Sequence, residues 1–177
     1  MNQREYDIAR TFENSLDLLQ NSKNNTKENV KINVIVGDGK RKEDTDGVVG
    51  YDYKATGIQA LREIERTYRH TFGYSLGYMH TGFEFNDGNN SEEWVDTVQL
   101  GIHNKYKAND WVMKNDLTGR ASIHNVDRNI DWPVNGRSEM DGTFETYSLT
   151  FDNSLGKEFK IGKNSSVTPY GGFRVMY

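Results

Sequence analysis

The chain has 177 residues, 34% of them hydrophobic, and carries 22 Lys and Arg against 26 Asp and Glu, a formal net charge of −4 at pH 7. This length fits one domain or part of one, and the negative balance leaves no basic excess for binding nucleic acid. Cysteine is absent, which excludes disulfides and thiolate metal sites. No segment approaches the roughly 18 apolar residues of a membrane helix, and the opening MNQREYDIAR lacks the apolar core of a signal peptide. A membrane location would therefore require strands and a longer parent chain.

Residues 1–30 differ in pattern from the rest of the chain. Four apolar residues are spaced three or four apart, with charged residues between them: Ile8, Phe12, Leu16 and Leu19. This spacing predicts an amphipathic helix of about four turns. The polar run NSKNNTKEN that follows either continues the helix or breaks it. We therefore divide the chain into a helix with a polar linker, residues 1–30, and a sheet, residues 31–177.

From residue 31 the apolar period changes from 3.6 to 2, which is typical of strands. About seven segments alternate in this way: KINVIV, VVGYDYKATG, TFGYSLGYMHTGFEF, DTVQLGIHNKY, NDLTGRASIHNVD, ETYSLTFDNSLGKEF and SVTPYGGFRVMY. Long polar connections such as RNIDWPVNGRSEMDGT alternate with short ones such as KYKANDW. This alternation predicts an all-β, antiparallel up-and-down meander, and the lack of helical periods between strands argues against parallel βαβ units.

One segment carries two patterns at once. In GIQALREIERTYRHTF, apolar residues recur every three or four positions as in a helix, whereas both flanking segments alternate strongly. We interpret residues 57–68 as two strand ends that meet near Glu65–Thr67, and a helix is the alternative.

The alternation gives each predicted strand an apolar and a polar face. In a membrane barrel the apolar face contacts lipid and the polar face lines the lumen, whereas in a soluble sandwich the apolar face turns inward. Charged and amide side chains on the polar face favour the barrel, as do aromatic residues near strand ends such as Trp94, Tyr106 and Trp111. The residues predicted to face the lumen are Asp52, Lys54, Gln99, His103, Arg120, His124, Asp152 and Arg174.

Several of these segments, in this order, also carry a resemblance to a known family. VVGYDYKATG, FGYSLGYMHTGFEF, VQLGIHNKY and TPYGGFRVMY resemble the β-domain of bacterial autotransporters, the type V secretion barrel, over roughly residues 31–177. The resemblance implies a twelve-stranded barrel in the bacterial outer membrane that anchors and exports a passenger domain of the same polypeptide. It also implies that the helix ahead of the first strand threads the pore.

The chain departs from the family in its number of strands. We predict about seven, and the family's last strands are missing, together with the terminal aromatic residue that the outer-membrane assembly machinery recognises. Tyr177 is aromatic, but it ends a strand that corresponds to a middle one. We therefore expect a fragment, either engineered or a truncated reading frame. Its open sheet would expose two edges and an apolar surface, so we expect the isolated chain to self-associate.

Candidates for chemistry are few. Asn24 and Asn25 follow the predicted helix, and the resemblance implies a comparison with autotransporters that release their passenger by asparagine cyclisation in the lumen. We favour the alternative, a polar linker in an Asn-rich chain. The four histidines lack metal-ligand spacing, so we predict no metal and no cofactor. The carboxylates of Glu63 and Glu65 are better explained as lumen charges than as an acid–base pair, and we predict no enzymatic activity.

Two hypotheses of different classes follow from the sequence. The first is a translocator segment of an outer-membrane autotransporter whose passenger is an adhesin linked to virulence. The second is a soluble β-sheet module that binds a ligand or a host surface. A requirement for detergent separates them, because a binding module is expected to be soluble and monomeric.

Overall fold

The computed structural model describes residues 3–22, 29–42, 49–132, 136–161 and 165–177. Within these ranges the chain forms one helix and nine strands: α1 (Gln3–Asn21), β1 (Val30–Arg41), β2 (Tyr51–Thr67), β3 (His70–Phe85), β4 (Glu92–Ala108), β5 (Trp111–Trp132), β6 (Gly136–Lys157), β7 (Phe159–Lys160), β8 (Ser166–Val167) and β9 (Tyr170–Met176). In the described part of the chain, no helix is both long and apolar enough to cross a membrane.

Seven of these strands form one sheet in the order β1-β2-β3-β4-β5-β6-β9. Every neighbouring pair is antiparallel. The short strands β7 and β8 pair with each other as a separate ribbon between β6 and β9. The predicted all-β meander of about seven strands behind an N-terminal helix is therefore confirmed.

The segment with two patterns is a strand, as preferred from its flanks. β2 continues to Thr67, and a two-residue turn leads into β3. Ile58 and Ile64 are exposed on one face of the sheet, whereas Leu61 is buried on the other. Since a helix would place all three on one side, the strand interpretation of residues 57–68 is confirmed.

The prediction of a long polar connection at residues 128–143 is wrong, because most of these residues belong to strands. β5 continues to Trp132 and β6 begins at Gly136, so the two strands form an extended hairpin. Side chains on both faces of its outer part are largely exposed. Such a hairpin lacks the apolar alternation by which strands are recognised in a sequence.

The two faces of the main sheet differ in what covers them. Helix α1 packs on one of them, over β1 and β2; we call this the helix-covered face and the other the open face. The open face carries a continuous band of exposed apolar side chains. Two cross-strand rows at its centre consist of Val34, Ile58, Tyr78, Val98, Ala121 and Tyr147, and of Ile32, Ala60, Leu76, Leu100, Gly119 and Leu149. A soluble monomer rarely exposes so continuous an apolar surface.

An apolar core lies between α1 and the first four strands. The four residues predicted as the apolar stripe of the helix, Ile8, Phe12, Leu16 and Leu19, are all buried. They pack against Ile35, Tyr51, Ala55, Leu61, Met79, Phe83 and Val95. The Phe12 ring occupies a notch at Gly77, where a Cβ atom would lie 2.7 Å from the ring. Burial of each large apolar side chain stabilises the packed helix by about 1.5–3 kcal/mol.

The faces predicted for the start of β2 are reversed in the structure. Asp52 and Lys54 lie on the open face, where Asp52 pairs with Lys40 of β1, and they do not share a face with the other predicted lumen residues. Tyr51 and Ala55 are buried under the helix instead. The physical reason is that α1 offers an apolar stripe at this level, so the apolar side of β2 turns toward it.

Candidate functional site: the helix-covered face

The structure brings six of the eight predicted lumen residues together on the helix-covered face. Gln99, His103, Arg120 and His124 are buried there, and Asp152 and Arg174 lie on the same face of β6 and β9. Asp52 and Lys54 lie on the open face, as described above. The candidates Asn24 and Asn25 lie outside the described residues.

Arg120 joins four strands through one buried guanidinium group. It donates hydrogen bonds to Gln99 of β4 (3.2 Å), Ser148 (3.1 Å) and Thr150 (2.7 Å) of β6, and contacts the sulfur of Met176 in β9 (3.6 Å). A guanidinium has five N–H donors in a fixed plane, which suits a position where several strands present oxygen atoms. Arg120 therefore fixes the polar wall beside the helix.

His103 connects three strands and, through Asp116, the C-terminal part of the helix. Its ring nitrogens lie 2.7 Å from the Ser75 hydroxyl in β3 and 2.9 Å from the Asp116 carboxylate in β5. The same Asp116 oxygen accepts a hydrogen bond from the side-chain amide of Gln20 in α1 (3.1 Å). Two strands and the helix thus meet at one carboxylate.

His124 lies between two carboxylates at the N-terminal end of the helix. Its Nδ1 atom is 2.6 Å from Glu93 Oε1 in β4, and its Nε2 atom is 2.8 Å from Glu5 Oε1 in α1. Arg4 of the helix forms an ion pair with the second oxygen of Glu93. The hydroxyl of Thr146 in β6 donates to Glu5 (2.7 Å). This cluster links α1 to β4, β5 and β6.

Further ion pairs attach the helix to strands at both edges of the sheet. In β9, Arg174 pairs with Glu13 of the helix at 2.5 Å and also with Asp152 of β6. Near the other edge, Asp7 accepts a hydrogen bond from the Tyr51 hydroxyl (2.6 Å) and lies 3.7 Å from Arg41 of β1.

Sequence patterns did not single out the helix residues of these contacts. Glu5 and Glu13 had no evident signal as partners, although Glu5 lies three residues before Ile8 and so continues the buried stripe of α1. An acidic residue on an apolar stripe is the signal that could have identified it. Its partner Glu93 shares the face of Gln99 by strand parity, but the cross-strand register was needed to place it beside His124.

The helix-covered face also contains buried polar atoms that the helix does not satisfy. Among the described residues, the side-chain amide of Gln59, the hydroxyl of Thr81 and the amide nitrogen of Gln99 lack hydrogen-bond partners. A dry protein core avoids such groups because each costs about 1–3 kcal/mol. The helix-covered face is therefore suited to contact with water.

Two other features do not define a site. A cavity of about 380 Å³ lies beside the N-terminal turn of α1 and is lined in part by Val49, Phe85 and Arg128. In the outer part of the β5–β6 hairpin, carboxylate oxygens of Asp127, Glu139 and Asp141 lie within 4.8 Å of one another. Exposed acidic groups are common without a bound ion, and we assign no metal to them.

Glu63, considered above as part of an acid–base pair, forms an ion pair with Lys31 at 2.6 Å.

Together, the two faces define a class of protein. A meander of long strands with an apolar band on one face, and a polar face occupied by a helix, is the architecture of a segment of a transmembrane β-barrel. The comparison with family models identifies which barrel this is. The model described as Autotransporter beta-domain matches residues 30–177, more than half of the chain, and the chain therefore belongs to the autotransporter β-domain family. No curated protein matches it.

Membership in this family establishes the general role of the chain. The autotransporter β-domain is a translocator and not a catalytic domain. In the parent protein it lies in the outer membrane and is joined to a passenger domain on the same polypeptide. The resemblance described from the sequence motifs is thus confirmed.

Proposed function

We propose that this chain is the N-terminal part of an autotransporter translocator, in which the helix-covered face lines the pore and α1 occupies it. The single observation that carries the proposal is the pairing of α1 with polar residues of the sheet while the opposite face stays apolar and exposed. Ion pairs to β4, β5 and β9 hold the helix on the polar face. In this arrangement residues 1–30 form the pore helix and its linker, and 31–177 form the partial barrel.

The lumen-facing residues of this proposal are six of those predicted from the sequence: Gln99, His103, Arg120, His124, Asp152 and Arg174. The apolar band of the open face contacts the acyl chains of the outer membrane. Trp94 and Trp111 lie on the same face, toward opposite ends of the strands, where a barrel places aromatic residues at the headgroup level. Asp52 and Lys54 belong to the polar margin above the band.

The passenger is exported through the pore and remains anchored by the barrel, and we propose an adhesin as its class. Adhesion is the common task of surface-anchored passengers, and it makes the parent a candidate virulence factor. The resemblance also raises release of the passenger by cyclisation of Asn24 or Asn25, and we favour a polar linker at these residues instead. If a parent protein carrying Asn24→Ala retains a passenger that the unmodified parent releases, cyclisation at Asn24 replaces the linker interpretation.

Within the described sheet, β1 has a strand neighbour on one side only, and residues 136–148 of β6 extend past the end of β9. Such edges pair readily with other strands. Together with the apolar band, they support the proposal that the isolated chain self-associates or requires detergent. A stable monomer in detergent-free buffer, measured by light scattering, would contradict it.

Neighbouring residues of β6 provide a direct test of which face meets lipid. Tyr147 lies on the open face and Ser148 on the helix-covered face. In a background with Trp94, Trp111 and Trp132 replaced by Phe, a single tryptophan is introduced as Tyr147→Trp or Ser148→Trp. In vesicles of brominated phospholipid we expect fluorescence quenching for Tyr147→Trp and little for Ser148→Trp. Equal quenching at both positions would contradict the proposed faces, and so would no quenching at either. If there is no quenching and the chain is a monomer in detergent-free buffer, the soluble binding module is favoured.

A further inference from the structure

The contact between His124 and its two carboxylates requires a particular protonation state. Glu93 is paired with Arg4 through one oxygen and faces Nδ1 with the other, at 2.6 Å. On the other side of the ring, Nε2 faces Glu5 at 2.8 Å and the Thr146 oxygen at 2.9 Å, and the Thr146 hydroxyl hydrogen is directed to Glu5. Both ring nitrogens therefore face acceptors, and only an imidazolium has a hydrogen to donate on each side.

The residues around the His124 ring bury it and restrict its orientation. The side chains of His124 and Glu93 are both 0% exposed. The Phe144 ring stacks on the imidazole with centroids 4.4 Å apart and planes 7° apart, so the ring cannot rotate freely. Arg120, on the same strand as His124, also acts on Glu5 through the charge of its guanidinium. The cluster thus contains Glu5 and Arg4 from α1, Glu93 from β4, and Arg120 and His124 from β5.

From this geometry we propose that His124 is a positioning residue for the pore helix: its doubly protonated ring clamps the N-terminal turn of α1 between β4 and β6, and loss of one proton loosens that turn. The inference rests on the proposed function, since it assigns a role to a contact between the helix and the pore wall. A neutral ring donates on one side only and turns a lone pair toward a carboxylate on the other. Raising the pH should therefore weaken the attachment of α1 to the sheet. A helix held only by apolar packing would show no such dependence on pH.

The experiment measures how readily α1 separates from the helix-covered face, as the labelling rate of a cysteine buried in that contact. Because the chain lacks cysteine, a single thiol can be placed at Ala9, which is fully buried, or at Asn14, which is exposed on the same helix. In the full chain in detergent, the maleimide labelling rate of Ala9→Cys is divided by that of Asn14→Cys at each pH, which cancels the pH dependence of thiol reactivity. We expect the ratio to be low near neutral pH and to rise at least fivefold as the pH rises into the alkaline range.

Two variants distinguish the clamp from general packing. His124→Gln should give a high ratio at neutral pH and a flat pH profile. Glu5→Gln should also raise the ratio, and because it changes only the helix and leaves the sequence of every strand as it is, a folding defect of the sheet is a poor explanation for its effect. His80→Gln is the matched control, because His80 also faces a carboxylate, Asp96 at 2.9 Å, but on the open face. A His124→Gln profile that superimposes on that of His80→Gln would overturn the clamp and leave the proposed function intact. A ratio near one in the unmodified background at every pH would show that the helix is not seated, which contradicts the proposed pore helix itself.

Discussion

The two halves of the sheet hold helix α1 in different ways. Strands β1 to β4 supply the strand members of both apolar clusters against the helix. Strands β5, β6 and β9 reach it through charged and polar side chains, as at Glu5 with His124 and Glu13 with Arg174. Apolar contacts carry no charge that salt can screen or pH can change, whereas ion pairs respond to both. Ion pairs also join α1 to β1 and β4. The two halves therefore differ in that β1 to β4 add apolar contacts to their ion pairs, whereas β5, β6 and β9 hold the helix by charged and polar contacts.

The largest effect is expected on the apolar side, at Phe12. Phe12→Ala removes a fully buried ring from the notch at Gly77 and should lower the free energy of unfolding by about 3–5 kcal/mol. Urea titration in detergent, followed by circular dichroism, measures the loss, which should not change between low and high salt. Leu18→Ala on the exposed side of the same helix is the control and should change stability by less than about 0.5 kcal/mol. A loss below about 1 kcal/mol for Phe12→Ala would mean that the core does not hold the helix.

A smaller effect is expected on the polar side, at the pair of Glu13 and Arg174. Both side chains are partly exposed, so a double-mutant cycle with Glu13→Gln and Arg174→Gln should give a coupling of about 0.5–1 kcal/mol. The coupling should shrink when salt is raised, because mobile ions screen partly exposed charges. A coupling that is unchanged in high salt would mean that β9 does not hold the helix through a salt-sensitive ion pair, and the contrast with the apolar contacts of β1 to β4 would be lost.

The smallest effect is expected outside both halves, in the loop between β3 and β4. Partial burial acts to raise the pKa of Asp87, but hydrogen bonds from Ser91 and from the backbone of Asn89 outweigh it, and the net pKa is lowered. A carboxyl with a lowered pKa in the folded state stabilises the fold above its unfolded pKa, and this contribution disappears as the pH falls through the folded value. Asp87→Ala should therefore cost less than about 1 kcal/mol at neutral pH. Unfolding curves should show the variant and the parent converging in acid, and a difference that persists there would contradict this account.

Much of this architecture follows from local patterns. The period-2 alternation from residue 31 onward predicts the meander because each strand has one face of each kind, and the stripe from Ile8 to Leu19 predicts α1 because a helix on a sheet buries one side. These signals are repeated over many residues, so single exceptions do not hide them. Six of the eight side chains predicted for the lumen share the helix-covered face by the same parity.

The failures occur where local patterns reverse or disappear. Asp52 and Lys54 were assigned to the wrong face because β2 exchanges its apolar and polar sides along its length, from Tyr51 and Ala55 under the helix to Ile58 on the open face. The β5–β6 hairpin was missed because its outer part is exposed on both sides. The partners of His124 could not be derived at all, since three elements far apart in sequence meet there and only the strand register brings them together.

The notch at Gly77 restricts where α1 can lie along the sheet. Phe12 fits where β3 has no side chain, so a shift of α1 by one turn, about 5.4 Å, would take the ring out of this notch. The same shift would separate Glu13 from Arg174. Under the proposed function, the notch therefore fixes how far α1 reaches along the pore.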